Sequence, residues 1–276
     1  MSYTRNLLNI TTTIALVMVM VLPIYITYSV IEGYYSHQAA LTSKDTSPTN
    51  YTKTATPQKT SPSILLTQKN PLKIVIIDSG LNRIDGDGIQ ICEGEHSQMD
   101  FTGTGLTDNF GHGTNIANII ATKLKGFNYC FYIFKAFDVK NKFDSIVSLV
   151  RALEWTNYVR PFVVNVSAGG AQSNSREFLI VEEILEHGIQ IDAAAGNNAT
   201  ELSDKACNYF PACYDTRINV VGNLNLRSSN YGPRVRFWED GNNVTAGGYT
   251  MSGTSQATAL FTGNMVKKVL ESRYEK

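Results

Sequence analysis

A short run of β-branched residues without polar alternation, Lys73 to Ile77 (KIVII), sets the first limit on the fold. A strand with one wet face alternates apolar and polar residues, so a run that does not alternate is buried on both faces. Similar runs recur at Tyr129–Phe137 (YCFYIFKAF), Phe162–Val166 (FVVNV), Ile189–Ala195 and Arg217–Val221. Segments of helical spacing lie between them. Thr114–Leu124 puts Ile116, Ile119 and Ile120 on one side, Ile146–Tyr158 is helical, and Glu177–His187 ends at Gly188, a natural C-cap. Thr254–Glu271 reads as a long closing helix. This alternation predicts an α/β fold with a mostly parallel central sheet, covered on both faces and joined by right-handed crossovers. The roughly 205 residues after position 70 are ample for one core, and they contain no internal repeat.

The first seventy residues are of another kind. No charged residue occurs between Arg5 and Glu32, and Ile14 to Ile31 is an apolar run of the length a spanning helix needs. Residues 1–33 therefore read as a signal-anchor or a cleavable signal. The flank EGYYSHQAA offers small residues but no clean A-x-A site, which favours the uncleaved anchor and leaves the cleaved form open. Arg5 and the amino terminus favour a cytoplasmic start, which places the rest of the chain outside the membrane, anchored or secreted. Residues 34–70, rich in Ser, Thr, Pro and Lys, read as a disordered tether too polar to offset its ordering entropy. Residues 71–276 form the folded domain. With 24 basic and 24 acidic side chains there is no net charge, which argues against a nucleic-acid partner.

In doubly covered parallel sheets, ligands and reactive groups gather at the carboxyl ends of the strands. Four polar residues fall there. Asp78 follows KIVII and precedes Ser79-Gly80; His112 sits in Gly111-His112-Gly113-Thr114; Asn197 follows Ala193-Ala194-Ala195-Gly196; and Ser255 opens the last helix within Ser252-Gly253-Thr254-Ser255-Gln256-Ala257. Singly, each is an ordinary turn or cap residue. Together, the order Asp, His, Ser is one of the orders in which a nucleophilic triad occurs.

The blocks IVIIDSGL, NFGHGTNIANIIA, VVNVSAGG, IDAAAGNNA and MSGTSQATA, in this order, resemble the signature blocks of the subtilisin-like serine proteases (subtilases, peptidase S8). The resemblance runs from Leu72 to about Leu270. It implies a three-layer subtilisin-like fold and a serine endopeptidase acting on polypeptides. Ser255 would be the nucleophile, His112 its general base, and Asp78 the group that orients His112. The Asn197 amide and the Ser255 backbone N–H would hold the oxyanion. Ser167, Ala168, Gly169 and Gly170 would form the edge that pairs with an extended substrate, the glycines leaving room for the incoming backbone. No cofactor is required. Calcium occurs in the family, but no acidic calcium loop is legible here, and the oligomeric state cannot be read.

The sequence departs from the family pattern in places. Ala259 stands where Pro is usual, and Ala168 where Leu is common. Asp192 falls inside an apolar strand, so it needs hydrogen-bonding partners or a wet edge. The segment Tyr34–Asn70 is too polar to serve as the folded prodomain of relatives. Two other hydrolase classes fail. An α/β-hydrolase needs G-x-S-x-G with a later His, whereas position 257 is Ala and no His follows His187. The four histidines, 37, 96, 112 and 187, do not form a paired zinc motif. The remaining alternative is a silent, membrane-tethered pseudoprotease that only binds.

Cys92, Cys130, Cys207 and Cys213 allow three pairings in an exported chain. Cys207 and Cys213 flank NYFPA and suit a local bridge. Cys92 and Cys130 end and begin strand-like runs and could join neighbouring strands, and four buried thiols are the alternative.

Overall fold

The computed structural model describes residues 70–84, 86–138 and 145–274. The anchor and tether expected over residues 1–33 and 34–70 lie outside these residues, apart from Asn70 itself. Among the described residues no helix is long and apolar enough to cross a membrane.

Seven strands form one sheet: β1 (Leu72–Asp78), β2 (Gln98–Asp100), β3 (Tyr129–Lys135), β4 (Val163–Val166), β5 (Gln190–Ala194), β6 (Asn219–Asn223) and β7 (Phe237–Glu239). Their spatial order is β2-β3-β1-β4-β5-β6-β7, and every neighbouring pair is parallel. A separate antiparallel hairpin joins β8 (Val244–Ala246) to β9 (Tyr249–Met251). The helices are α1 (His112–Lys123), α2 (Ser145–Val159), α3 (Ser175–Glu186) and α4 (Thr254–Tyr274).

The missing polar alternation of KIVII has the expected cause. Leu72, Ile74 and Ile76 pack on one face of β1 with Ile116, Ile119 and Ile120 of α1 and Ala259 and Val266 of α4. Val75 and Ile77 pack on the other with Leu149 and Leu153 of α2 and Ile180, Val181 and Ile184 of α3. Successive residues of a strand point to opposite faces, so a strand between two helical layers must be apolar throughout. Three layers result: α1 and α4, the sheet, then α2 and α3.

Element boundaries differ from the sequence reading for local reasons. Helix α1 begins at His112 rather than Thr114, because the Asp108 carboxylate receives the Gly111 and Thr114 N–H groups at 2.7 and 2.8 Å and caps the first turn. Helix α3 begins at Ser175, with the Asn174 side chain accepting from the Arg176 and Glu177 N–H groups at 2.9 and 3.0 Å. Strand β6 starts two residues late, since Arg217 N–H is held by Asp215 Oδ1 at 2.6 Å in a turn. Strand β3 stops at Lys135, where the Ala136 and Phe137 N–H groups converge on the Asp78 carbonyl. Strands β2, β7, β8 and β9 were not foreseen; each has three residues and none is fully buried. Gly188 follows α3 with φ of 73°, as a C-terminal glycine should.

All four cysteines are bridged, Cys92 to Cys130 and Cys207 to Cys213, with Cα separations of 4.8 and 5.5 Å. The four-thiol alternative is thereby set aside. The Cys92 backbone N–H also donates to the Phe131 carbonyl at 2.9 Å, so the first bridge ties a loop to β3.

Candidate active site

The carboxyl ends of β1, β4 and β5 meet the amino ends of α1 and α4. Asp78 is the last residue of β1 and almost fully buried. Its Oδ1 receives the Ser79 N–H and lies 2.7 Å from His112 Nδ1. A carboxylate only accepts, so Nδ1 carries the proton and the Nε2 of neutral His112 is left as an acceptor. Glycine is required at position 113, because a Cβ there would run into the Gly80 carbonyl and crowd Asp78 Cβ. Burial disfavours the imidazolium, but the charge and hydrogen bond of Asp78, with the charge of Asp108, outweigh it and hold the His112 pKa above its ordinary 6.5. Phe110, more than half exposed, stacks on the His112 ring with 5.7 Å between centroids.

Ser255 stands in the first turn of α4 and is buried. Its hydroxyl donates to the Ser167 carbonyl at 2.8 Å, and no hydrogen bond joins it to His112 in this resting arrangement. Asn197 is exposed, and its Oδ1 receives the Thr254 N–H at 3.0 Å. That bond fixes the amide plane and leaves Nδ2 with no protein acceptor among the described residues. The Ser255 N–H, at the start of a helix, likewise has no intrahelical partner. Asn115 of α1 accepts from Gln256 Nε2 at 3.1 Å and donates to the carbonyls of Val244, Ala246 and Tyr249. The helix of His112, the helix of Ser255 and the β8–β9 hairpin are thus clamped together.

The segment Ser167–Gly170 follows β4. Gly170 exchanges backbone hydrogen bonds with Phe210 at 3.0 and 2.8 Å, so that part of the edge is already paired. The glycine at 169 also has a different reason from the one expected: a Cβ would lie 2.6 Å from both the Phe210 carbonyl and the Tyr209 ring. Only Gly170 has open space where a Cβ would stand. Two cavities flank the segment. One, of about 450 Å³, has Asn198, Thr200, Asn208, Tyr209 and Asn230 on its walls. The other, of about 460 Å³, has Phe137, Ile146, Leu149 and Phe210 on its walls, together with Gln172, Ser173, Asn174 and Glu177.

Of two further residues that shape the site, Asp108 was not singled out in the sequence and Asp192 was noted only as a misfit in its strand. Asp108 joins the site to α1 through Ser79, Gly111 and Thr114; a DNFG turn before a helix was the available signal. Asp192 is fully buried with three donors: Gln190 and Asn219 at 2.9 Å each on Oδ1, and Thr262 at 2.8 Å on Oδ2. Thr262 also accepts from Asn165 Nδ2, and Asn165 Oδ1 accepts from the Ser167 hydroxyl. The polar residue in an apolar strand is therefore satisfied rather than wet. Desolvation raises its pKa despite those three bonds.

Among the described residues no group of three or more His, Cys, Asp or Glu stands together. The carbonyls of Gly105 and Thr107 are taken by the buried Lys135 ammonium, which also pairs with Asp138 at 2.7 Å. A cation of the chain itself fills that place, so the residues there do not suit calcium.

Comparison with known proteins agrees with this architecture. The Minor extracellular protease Epr of Bacillus subtilis (strain 168) is 34% identical over 209 residues, covering 70% of this chain and 31% of Epr. The Extracellular serine proteinase of Thermus sp. (strain Rt41A) is 31% identical over 176 residues, covering 58% of this chain and 42% of the relative. The chain thus spans less than half the length of either. Among solved structures, a lanthipeptide protease superposes with a TM-score of 0.62 at 18% identity, over 75% of this chain and 76% of that one. A cold adapted subtilisin-like serine proteinase gives 0.57 at 20% identity, over 74% and 76%. The fold is that of these structures. The family model of the subtilases, peptidase S8, matches residues 69–272, and the chain belongs to that family.

Proposed function

We propose that the chain is a serine endopeptidase that hydrolyses peptide bonds of polypeptide substrates. The observation that carries this reading is the 2.7 Å bond from His112 Nδ1 to buried Asp78, which leaves Nε2 free to take a proton. The Ser255 hydroxyl turns from the Ser167 carbonyl to His112 Nε2 as substrate arrives and attacks the scissile carbonyl carbon. His112 takes its proton and returns it to the leaving amine, while Asp78 stabilises the imidazolium. Asn197 Nδ2, which has no protein acceptor among the described residues, and the Ser255 N–H at the start of α4 receive the tetrahedral oxyanion. Water then repeats the sequence on the acyl-enzyme. Ser167, Ala168 and Gly169 offer the edge along which the substrate backbone lies.

Residues 1–33 act as the anchor or signal, 34–70 as the tether, and 71–276 as the peptidase domain on the extracytoplasmic side. The two relatives described above bear names that call them extracellular. Full-length chain should stay in the membrane pellet after a carbonate wash; recovery only as a shortened soluble form would show cleavage instead. For the chemistry, a fluorophosphonate should label wild-type chain but not Ser255→Ala, and only the wild type should degrade an unstructured protein. A folded wild type that neither labels nor cleaves would leave the silent binding protein as the reading.

A further inference from the structure

Glu177 is a buried carboxylate of which only one oxygen has a structural partner. It lies in the first turn of α3, is 1% exposed, and shares the wall of the 460 Å³ cavity with Phe137, Ile146, Leu149 and Phe210. Its Oε2 accepts from the Tyr214 hydroxyl at 2.7 Å, and that hydroxyl is itself fixed by the Asn174 N–H at 2.7 Å. Its Oε1 is buried and has no hydrogen-bond partner. No Lys or Arg pairs with it among the described residues. An unpaired buried carboxylate oxygen is expensive and calls for a partner that arrives from elsewhere.

The cavity indicates what that partner is. It borders Gly169 and Gly170, on the segment that begins at the Ser167 carbonyl beneath Ser255. An extended chain rises about 3.3 Å per residue, so a side chain entering there belongs to a residue roughly two to four positions from the bond under attack. Part of the cavity wall is apolar and part carries Gln172, Ser173 and Asn174 beside the single carboxylate, which suits a long apolar stem ending in a cation that buries its methylenes and pairs its head.

Building on the proteolytic reading, we propose that this cavity is a specificity pocket in which Glu177 receives a Lys or Arg side chain of the substrate, two to four residues from the scissile bond. The bond formed is a charge-assisted hydrogen bond from the substrate cation to Oε1. The Tyr214 bond holds Oε2, while Oε1 is covered in the free protein and is uncovered by a local shift as the cation enters.

The test uses the full chain and a set of peptides in which one residue, scanned through the positions beside the cleaved bond, is Lys, norleucine or Glu. Norleucine keeps the stem and removes the charge. For wild type, Lys at one position should raise kcat/KM over norleucine roughly 10- to 100-fold, with Glu the poorest. Glu177→Gln keeps the shape and an acceptor for Tyr214, and should bring Lys and norleucine within about threefold. Equal rates for Lys and norleucine at every position in the wild type would overturn the proposal, as would a Lys preference that survives Glu177→Gln. Peptide affinity for Ser255→Ala, read by calorimetry, gives the same comparison without catalysis. A Lys preference in binding by a chain that never cleaves would refute the protease reading and keep the pocket. Cleavage with no Lys preference would do the reverse.

Discussion

Replacing Glu177 with Gln should make the protein more stable at alkaline pH and leave it unchanged at acid pH. Burial of the carboxyl, only partly offset by the Tyr214 hydrogen bond, raises its pKa from 4.5 to about 7. The sign follows from proton counting. Between pH 4.5 and 7 the folded state keeps a proton that the unfolded chain has lost, so stability falls as pH rises through that window. A shift of about 2.5 units corresponds to about 3 kcal/mol, reached above pH 7 and absent below 4.5. That figure is an upper bound, because water drawn toward the carboxylate softens the penalty. Gln is neutral at every pH and nearly the same shape as the protonated acid, so it removes this slope. The assay is urea unfolding followed by tryptophan fluorescence at pH 4.5, 6 and 8. Both proteins carry Ser255→Ala to prevent self-cleavage. Subtracting the two curves cancels every other titrating group. The variant should match its parent at pH 4.5 and exceed it at pH 8 by up to about 3 kcal/mol. A difference that does not change with pH, or a variant less stable at pH 8, would refute the reasoning.

Four further outcomes follow from the site and the fold. Asn197→Ala should lower kcat roughly 100- to 1000-fold with little change in KM, a size known for subtilisin and carried over by family membership; steady-state kinetics on a peptide checks it. Activity requires neutral His112, whose pKa is raised, so the acid limb of kcat/KM should lie above pH 6.5. Asp78→Asn should move that limb to lower pH and cut the rate sharply, as a pH–rate profile would show. Asp192→Ala strands the donors of Gln190, Asn219 and Thr262 and should cost about 3 kcal/mol in denaturant unfolding, whereas Asp192→Asn keeps an Oδ1 acceptor for Gln190 and Asn219 and should cost clearly less. Removing the Cys92–Cys130 bridge, which spans 38 residues, should destabilise by about 4 kcal/mol against about 2 for Cys207–Cys213, which spans 6, if chain entropy dominates. Serine pairs at each bridge, compared by chemical unfolding, would measure both.

The layered architecture was legible in the chain's own pattern, and so was the placement of the four candidate site residues near strand ends and helix starts. Both rest on short-range chemistry. A strand such as KIVII cannot face water on either side, and Asp78, His112, Asn197 and Ser255 each sit at a strand end, a bend or a helix start that their neighbours dictate. The strands β2, β7, β8 and β9 were not legible, because three residues that are not fully buried are too few to show a period. The resting hydrogen bond of Ser255 to Ser167 was equally hidden, since the 88 positions between them are closed up by the folded sheet alone. Gly169 looked like space for substrate, yet tertiary structure fills that space with Tyr209 and Phe210. Glu177 and Asp192 show the divide most clearly. In the sequence one is a helix-start acid and the other a misfit in a strand. Burial, and the donors that the fold does or does not bring to each, make Asp192 a satisfied internal link and Glu177 a carboxylate with an oxygen to spare. A polar side chain takes its meaning from its partners, and those are chosen by contacts between residues far apart in the chain.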